Sequence, residues 1–473
     1  MPIQQMMLGI SPSGDSYWIN SLGANGTLDR WYDCAIDSSD NIFVAGNTTS
    51  GTTGYGALAA KFDTDGAIQW QRSLDGSGNQ QFFACCLTGT TTGGSSEKFY
   101  EFGDAGYGGN GGLAANYSNA TGAKDNDLRL ADSLTTAWGS SGASSFAPAS
   151  SNSSINPYSR IILVGHVAYG SGAYRGYIHM INSSFQAIAS TAFQHPSSSG
   201  TAVEFKMSRV DTSNVSDANG TGAKVIVCGT RGDGVNSGNN NLWLGSFTTG
   251  GGTGMQSLTL NWQKEIVYTS STNTGTNMDV DSSGNIYVVG FVYDGGTKPA
   301  IYKLNSSGVM QWQKINNNIS SGWSYAYAIA VDSSGNVYSA GQFANNAWLV
   351  KMDSSGSTVW QREIDGAAGN KEIVIKGLKI NSKGDLILSG WTMVTDTGGQ
   401  KNTFLMKYPS DGSITGTFGG VWEISNVSGA FSNLNLSVAT SNLSQSGPSI
   451  SNTNFNALTD AATSYSPSLI SLS

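Results

Sequence analysis

The sequence predicts an all-β protein assembled from repeated β-hairpins, and three observations support this. Charged residues make up 12% of the 473 residues, about half of the ~25% usual for soluble domains, so the Glu-, Lys- and Arg-rich surface of helices is missing. Glycine accounts for 62 residues, and Ser, Thr and Asn supply most of the polar surface, which favours strands and turns. Two short motifs also recur along the chain with fixed internal spacing.

The first motif begins at an Asp or Asn and ends at a Gly nine positions later, as in Asp281-Ser-Ser-Gly-Asn-Ile-Tyr-Val-Val-Gly290. Its opening residues are typical of a turn, because the Asx side chain accepts hydrogen bonds from the backbone ahead of it and Gly adopts a positive φ. The β-branched and aromatic residues that follow are typical of a strand. The motif occurs at Asp37–Gly46, Asp281–Gly290, Asp332–Gly341 and Asn381–Gly390.

The second motif places a Lys and a Gly five positions apart and a Trp four positions beyond that Gly. The Lys-to-Gly segments are Lys61–Gly66, Lys303–Gly308, Lys351–Gly356 and Lys407–Gly412, and the tryptophans are Trp70, Trp312 and Trp360, with Gly416 in the last copy. Each motif predicts a β-hairpin, so a unit has four antiparallel strands. One such unit buries little apolar surface alone, and we expect neighbouring units to stack with the Trp residues packed between them.

The number of units follows from the closing glycines of the first motif, which are Gly46, Gly165, Gly229, Gly290, Gly341 and Gly390. A degenerate unit at Phe99–Gly103 fills the wide gap before Gly165. Seven units of roughly 50–60 residues predict a seven-bladed β-propeller of four-stranded antiparallel blades. An open β-solenoid is the alternative, and it would have shorter and more uniform repeats.

The two ends of the chain bear on ring closure. Unit seven lacks its final Trp strand, while Ser16–Leu22 resembles a stray copy of it, so we predict that this N-terminal strand completes the last blade. The alternative is that Ser413–Phe418 completes it alone. We therefore expect an N-terminal docking arm at residues 1–14, the propeller at residues 15–418 and a C-terminal appendage at residues 419–473. The appendage is either a small β-element or an extended arm laid on a partner.

The two motifs resemble the bacterial β-propeller repeats of the SBBP type, in which Asp-x-x-Gly-Asn-Ile-Tyr-Val-x-Gly is followed by a Lys-x-Asx-x-x-Gly-x-x-x-Trp segment. The resemblance is close in units one, five, six and seven. It implies the propeller fold and permits a binding protein of the cell surface or periplasm, but it does not by itself indicate a function.

Charge and composition exclude several classes of function. The formal net charge is −8 with only 24 Lys and Arg residues, whereas a nucleic-acid groove needs clustered cations. No apolar run is long enough to span a membrane, and the N-terminus lacks the pattern of a secretory signal. The cysteines fit buried free thiols rather than disulfides; they are Cys34, Cys85, Cys86 and Cys228.

Candidates for catalysis are few. The three histidines have no metal-ligand spacing, and no nucleophile elbow or phosphate-binding loop occurs. The acid pairs Asp63/Asp65 and Asp279/Asp281 each stand two positions apart, and Asp63 and Asp65 are hairpin-turn residues, which favours a turn role over a calcium loop or the carboxylate pair of a glycosidase. We therefore predict no catalytic residues, no metal, no cofactor and no enzymatic activity.

Aromatic residues outside the repeat positions are the candidate binding residues. They precede the innermost strands of units one, two and six, where loops open onto one rim of the ring, although core packing is an alternative for each of them. Aromatic rings with Asn, Ser and Gln neighbours suit stacking on sugars or contacts with proteins. The candidates are Trp31, Tyr32, Phe82, Phe83, Trp323, Tyr325 and Tyr327.

The opening segment Met1–Gly9 resembles a short leader found at the start of structural proteins of tailed bacteriophages, especially marine ones. This resemblance implies a non-enzymatic virion protein of the tail or a surface projection, assembled in the host cytoplasm and present in several copies by virion symmetry. Expected partners are other virion proteins and a host-surface glycan or protein, and Ile3, Met6, Met7 and Leu8 are the expected docking residues. The alternatives are a bacterial cell-surface or periplasmic binding propeller and a glycan hydrolase or lyase.

Overall fold

The computed structural model shows a chain of β-strands joined by turns. It describes residues 2–10, 16–22, 28–49, 55–75, 80–87, 98–105, 112–132, 138–146, 160–169, 173–182, 187–194, 203–211, 222–232, 240–250, 257–268, 272–317, 323–366, 371–393, 401–427, 431–434, 436–441, 444–446, 450–454, 459–461 and 468–469. Within these ranges every regular element is a strand, and none of them contains an apolar helix of membrane-spanning length.

The described strands form seven sheets arranged as the blades of a ring, which confirms the predicted seven-bladed propeller. The chain starts with β1 (Pro2–Ile10) and β2 (Ser16–Leu22), which belong to the last blade. The other strands follow one another from the centre of the ring outward.

Blade one contains β3 (Arg30–Ile36), β4 (Ile42–Thr49), β5 (Tyr55–Phe62) and β6 (Ile68–Asp75). Blade two contains β7 (Gln80–Leu87), β8 (Lys98–Ala105), β9 (Gly112–Ser118) and β10 (Lys124–Asp132). Blade three contains β11 (Trp138–Phe146), β12 (Arg160–Tyr169), β13 (Ala173–Asn182) and β14 (Ala187–Gln194). Blade four contains β15 (Val203–Asp211), β16 (Lys224–Gly232), β17 (Asn240–Gly250) and β18 (Ser257–Val267).

Blade five contains β19 (Asn273–Val280), β20 (Ile286–Tyr293), β21 (Thr297–Leu304) and β22 (Met310–Asn316). Blade six contains β23 (Ser324–Val331), β24 (Val337–Phe343), β25 (Asn346–Met352) and β26 (Thr358–Gly366). Blade seven contains β27 (Ile373–Ile380), β28 (Leu386–Thr392) and β29 (Asn402–Tyr408).

The Asx residues of both motifs close hairpin turns, as the sequence predicts. Asp281 Oδ1 accepts hydrogen bonds from the backbone N–H groups of Ser283 and Asn285, both at 2.9 Å. Asp281 Oδ2 accepts from Asn285 Nδ2 at 2.8 Å and from the Tyr287 hydroxyl at 3.0 Å. Gly284 completes the turn with φ 76°, a conformation that glycine adopts without steric cost. Both carboxylate oxygens are thus used by the turn itself, which supports its structural role.

The repeated Trp and Lys residues fasten each blade to the next. Trp312 Nε1 and Lys303 Nζ both donate to the carbonyl oxygen of Ser354 in blade six, each at 3.2 Å. The Trp312 ring also lies against Gly356, where an added Cβ would come within 2.9 Å of the ring. Trp360 repeats the contact on the turn that follows β29 in blade seven. The prediction that these tryptophans pack between units is confirmed.

The N-terminal strand completes the last blade. β2 pairs antiparallel with β29, with Trp18 opposite Lys407, and β1 pairs outside β2. Trp18 is buried and lies against Gly66 in blade one, so its ring packs on the next blade as the repeated tryptophans do, without the hydrogen bond to a described residue that their Nε1 atoms donate. The predicted closure is confirmed. The alternative is wrong: the strand within 413–418, β30 (Gly416–Phe418), pairs with the next strand in the sheet of blade six.

The C-terminal residues run back around the whole ring. The seven strands that follow β30, here called the belt, are β31 (Trp422–Asn426), β32 (Phe431–Asn433), β33 (Ser437–Thr440), β34 (Ser444–Ser446), β35 (Ile450–Asn454), β36 (Thr459–Ala461) and β37 (Ser468–Leu469). They add to the outer edges of blades six, five, four, three, two, one and seven in that order. The described strands after residue 419 therefore lie on the chain's own blades.

Large side chains fix the start of the belt to the ring. Trp422 is buried and packs edge-on against Phe404, with ring centroids 5.5 Å apart. Phe431 is also buried and lies 5.9 Å from the Trp348 ring. Burial of these aromatic rings is the main stabilising contribution at this end of the belt. Because Ser and Asn dominate the remaining belt strands, their attachment depends mostly on backbone hydrogen bonds.

All four cysteines are buried free thiols, as predicted. Burial raises the pKa of Cys34 and Cys228 to about 12, so these thiols stay protonated and unreactive at neutral pH.

Candidate functional site

The innermost strand of every blade carries a β-bulge at the same position. In each case the pairing with the second strand shifts by one residue, and the extra residue is left without a partner in the ladder. The seven extra residues are Tyr32, Phe83, Ser141, Lys206, Thr276, Tyr327 and Lys376. A bulge redirects the side chain of its extra residue, and here the redirection is repeated around the axis of the ring.

The closing glycine of the first motif faces this bulge. A Cβ on Gly290 would lie 1.7 Å from the carbonyl oxygen of Thr274, two residues before the bulge residue Thr276. A Cβ on Gly341 would lie 1.9 Å from the carbonyl oxygen of Tyr325, which stands in the same relation to Tyr327. Gly46, Gly103, Gly229 and Gly390 make the equivalent close approach. The repeated glycine is therefore required because the innermost strand crowds against the second strand at the bulge.

Six of the extra residues line one central cavity of about 250 Å³. They come from blades one, two, four, five, six and seven and are all half-buried: Tyr32, Phe83, Lys206, Thr276, Tyr327 and Lys376. The cavity is open to solvent on one side. A concave site that combines aromatic surface with a few polar groups is the usual form of a ligand pocket.

Two polar residues in the cavity wall are committed to linking blades. The carboxylate of Asp33 accepts hydrogen bonds from the backbone N–H groups of Cys34 at 2.9 Å and of Cys85, in blade two, at 3.1 Å. Asn277 Nδ2 donates to the carbonyl oxygen of Tyr327, in blade six, at 3.0 Å. Both residues directly follow a bulge. They fix the positions of the bulge residues, and these hydrogen bonds already engage their own side chains.

Three stacked aromatic rings connect the cavity with the surface. Trp323 lies 6.4 Å from Tyr325, and Tyr325 lies 5.4 Å from Tyr327, with 18° between the ring planes in both pairs. We call these three rings the aromatic ladder. Phe291 supports it edge-on, 5.0 Å from Tyr325. Tyr327 lines the cavity, while Trp323 is 66% exposed, the largest exposed fraction of any large hydrophobic side chain in the described part of the chain.

Cations surround a second aromatic group beside the ladder. The Trp391 ring has Arg30 Cζ, Lys376 Nζ and Lys401 Nζ at 5.6, 5.4 and 5.7 Å from its centroid. Tyr32 packs edge-on against Trp391 at 5.6 Å. These distances are typical of cation–π contacts. The two aromatic groups and the cations thus meet at the central cavity, whose wall includes Tyr32, Tyr327 and Lys376.

Lys376 joins the ladder to the Trp391 group. Its Nζ lies 3.1 Å from the centroid of the Tyr327 ring. Burial lowers the pKa of Lys376 to about 7; the charge of Arg30 lowers it further, and that of Glu372 opposes this. The ammonium group is thus poised to gain or lose its proton near neutral pH, and a nearby anion would favour the protonated form.

The predicted binding residues divide into two groups. Tyr32, Phe83, Trp323, Tyr325 and Tyr327 come together at the cavity and the ladder. All except Trp323 lie within innermost strands rather than before them.

Trp31 and Phe82 do not belong to this site, which corrects the prediction. Trp31 is 1% exposed and packs between blades one and seven. Phe82 is fully buried between blades one and two. The core-packing alternative applies to both.

The predicted docking residues Ile3, Met6, Met7 and Leu8 all lie in β1. Because β1 pairs with β2 along its length, residues 2–10 form a strand of blade seven instead of a separate arm. Their role in docking stays a prediction.

The other predicted chemical groups are structural where they are described. His179 is buried and its Nδ1 lies 2.5 Å from Ser190 Oγ. Asp63 Oδ1 accepts hydrogen bonds from the Asp65 and Ala67 amides of its own turn. Among the described residues no group of three or more His, Cys, Asp or Glu side chains is arranged to hold a metal ion. His195 lies outside the described residues.

Comparisons with known proteins find similar chains only among solved structures. No family model matches the chain, and no curated protein matches it. One similar structure is described as the Dos1 propeller, with 9% identity, a TM-score of 0.43, and coverage of 86% of this chain and 95% of that chain. Another is the polysaccharide lyase Uly1, with 8% identity, a TM-score of 0.43, and coverage of 80% and 89%. A protein of unknown function from Bacteroides caccae has 13% identity, a TM-score of 0.32, and coverage of 71% and 93%. At these values the likenesses imply nothing about ligand or activity.

Proposed function

We propose that this chain is a non-enzymatic binding propeller that holds a carbohydrate at the open side of its central cavity. The observation that carries the proposal is the aromatic ladder, which leads from the exposed Trp323 ring to the cavity wall at Tyr327. Exposed aromatic rings offer apolar faces for sugar rings, and the polar groups nearby can bond to hydroxyls. Because strands position the ladder, its rings are preorganised for binding.

The carboxylates near the cavity support a role without catalysis. Asp33 accepts two backbone hydrogen bonds, and Glu204 is bound to Lys206 at 2.6 Å. A glycoside hydrolase needs one carboxyl group to donate a proton and a second, about 5–10 Å away, to act as base or nucleophile. Both acids here are engaged in holding the wall of the cavity.

Removal of the ladder tests the proposal. Trp323→Ala combined with Tyr325→Ala should weaken binding to a panel of polysaccharides at least about tenfold, as for the loss of a central aromatic contact, measured by isothermal titration calorimetry. Tyr293→Ala is the matched control, because Tyr293 is an exposed tyrosine on β20 outside the ladder. Equal affinity of the ladder variant and the control, or no binding to any polysaccharide, would contradict the proposal.

A lyase is the second candidate, and the proximity of Lys376 to Tyr327 favours it. A lysine whose pKa is about 7 can act as a base at neutral pH, and the tyrosine hydroxyl can donate a proton. Incubation with acidic polysaccharides should then produce unsaturated sugar ends that absorb in the ultraviolet. Binding without such products favours the non-enzymatic role.

We also propose that the propeller is carried by a tailed bacteriophage virion and contacts the host surface. The support is the leader-like segment Met1–Gly9 and the charge-poor composition. Mass spectrometry of purified particles should detect the chain in several copies per particle, and its absence would contradict this placement. Detection in a bacterial envelope fraction instead would support the alternative of a cell-surface or periplasmic propeller.

A further inference from the structure

Cations are concentrated at the central cavity although the chain as a whole is acidic. The formal net charge is −8, and the 24 Lys and Arg residues are spread over 473 positions. Four of them nevertheless meet here: Lys206 and Lys376 in the cavity wall, and Arg30 and Lys401 beside Trp391. They come from blades four, seven and one, so the ring closure itself brings them together.

Two of the four cations have carboxylate partners. Lys206 forms an ion pair with Glu204 at 2.6 Å, and Lys401 forms one with Glu372 at 2.5 Å. Arg30 and Lys376 form no ion pair with any residue that the structure describes, and their nearby groups are aromatic rings. Ring faces compensate a desolvated cation only in part. Lys376 therefore has no carboxylate at ion-pair distance among the described residues, although Asp33 lines the same cavity and the charge of Glu372 acts on Lys376.

Lys376 is the group that would respond to an anion. Several charged and titratable groups face Lys376 or its neighbours. β3 carries Arg30, Tyr32 and Asp33, and β23 carries Tyr327. Glu204 and Lys206 lie on β15, His166 lies on β12, and Glu372 and Lys401 lie beside the ends of blade seven. Burial lowers the pKa of His166 and raises that of Tyr327. Both of these groups therefore stay neutral around pH 7, and Lys376 is left as the titrating group.

We propose that the cavity binds the anionic group of an acidic polysaccharide, a carboxylate or a sulfate, against the Lys376 ammonium while the sugar chain lies on the aromatic ladder. This inference rests on the proposed carbohydrate-binding function and names its ligand class. Seating the anion completes the ion pair that Lys376 lacks, and Arg30 adds to the positive potential. The half-buried position of Lys376 limits screening by salt.

The pH dependence of binding follows from the same geometry. The free site holds Lys376 protonated below about pH 7 and loses this proton above it, whereas the bound anion raises the pKa of Lys376. Binding above pH 7 therefore requires proton uptake, and affinity falls as the pH rises. From about pH 6 to about pH 8 the expected loss is roughly tenfold.

Calorimetric titration of the full chain with polygalacturonate and with its carboxyl-reduced form tests the inference directly. The acidic polymer should bind at least about tenfold more tightly, the size expected for one charge-assisted hydrogen bond. A sulfated galactan and its desulfated form distinguish sulfate from carboxylate, and inorganic phosphate tests the anion without a sugar. Equal binding of the acidic and neutral forms would overturn the inference while leaving the proposed function intact. Absence of binding to any polysaccharide would overturn both, and phosphate binding as tightly as the polymers would refute the polysaccharide ligand.

Variants of Lys376 separate its charge from its packing. Lys376→Met should abolish the preference for the acidic polymer and remove the pH dependence, while Lys376→Arg should keep the preference and flatten the pH profile, since arginine stays charged. Lys303→Met is the matched control, because Lys303 Nζ also lies over a tyrosine ring, at 5.1 Å from the Tyr287 centroid, but in the contact with the blade-six turn. If Lys376→Met fails to fold, as judged by circular dichroism, the Lys376→Arg profile decides: an unchanged pH dependence in that variant would contradict the inference.

Discussion

Replacement of Gly290 by alanine should be one of the most damaging single substitutions in the ring. A Cβ at this position would lie 1.7 Å from the carbonyl oxygen of Thr274 and 3.1 Å from the Cα of Gly275. Because both obstacles are backbone atoms of the innermost strand, no side chain can move aside to relieve the contact. The variant can fold only if the bulge at Thr276 is displaced and its ladder hydrogen bonds are weakened.

The expected cost follows from these contacts. Overpacking against movable side chains costs about 1–3 kcal/mol, and each ladder hydrogen bond lost adds about 1 kcal/mol. We therefore expect Gly290→Ala to lower the free energy of unfolding by about 3 kcal/mol or more. Urea denaturation followed by tryptophan fluorescence measures this change, since the chain has 12 tryptophans.

Gly275→Ala is the control, because Gly275 pairs with Gly290 across the same ladder. Its added Cβ would meet only side chains, Leu242 at 3.3 Å and Val288 at 3.5 Å, and the closer one, Leu242, can shift by a few tenths of an ångström. The expected change in the free energy of unfolding is within about 1 kcal/mol, because alanine also restricts the unfolded chain. Similar stability of the two variants would refute the explanation of the closing glycine by close approach at the bulge.

Three further predictions concern a buried acid and the two chain ends. The buried site raises the pKa of the Glu101 carboxyl well above its ordinary value of 4.5, so its stabilising contribution is complete below that pH and is lost as the pH rises. Glu101→Gln should therefore be more stable than the parent chain near pH 8, by a margin that grows with pH, and parallel pH–stability curves of the two proteins would contradict this. Deletion of residues 1–22 removes β1, β2 and the buried Trp18 and opens the ring. Urea denaturation should then show a free energy of unfolding lower by at least about 5 kcal/mol, or no cooperative transition. An unchanged denaturation midpoint would show that β2 does not close the ring. Deletion of residues 431–473 removes six of the seven belt strands, with the buried Phe431 ring, but no strand of the four-stranded blades. Limited proteolysis should therefore still yield a resistant core that contains all seven blades, whereas degradation of that core would show that the belt is needed to keep the ring folded.

The fold could be predicted from the sequence because its determinants are local and repeated. Asx turns with closing glycines mark the first hairpin of units one, five, six and seven, and the Lys-to-Gly segment marks the second hairpin of the same units. Ring closure was predictable for the same reason, since Ser16–Leu22 carries the pattern of the missing strand. The belt could not be predicted, because its strands have only two to five residues and pair with strands far away in the chain. Apolar and polar residues alternate in β31, but such a short pattern does not identify its partner.

The candidate site was predicted in part. Aromatic residues near the innermost strands pointed to Tyr32, Phe83 and the ladder. Lys376, Lys206 and Trp391 were missed, because the bulge residues differ in type from blade to blade and show no repeat. A signal was nevertheless present: the closing glycine of each unit lies opposite the bulge, so alignment of the strand before it would have identified the positions that face the cavity.

The crystal structure of the full chain in complex with an acidic oligosaccharide, such as a galacturonate oligomer, is the most direct test of the binding site. The expected result is a sugar ring stacked on Trp323 or Tyr325 and a carboxylate oxygen about 2.7–3.0 Å from Lys376 Nζ. An oligosaccharide bound to the belt or to the Asx turns, with the central cavity unchanged, would contradict this account.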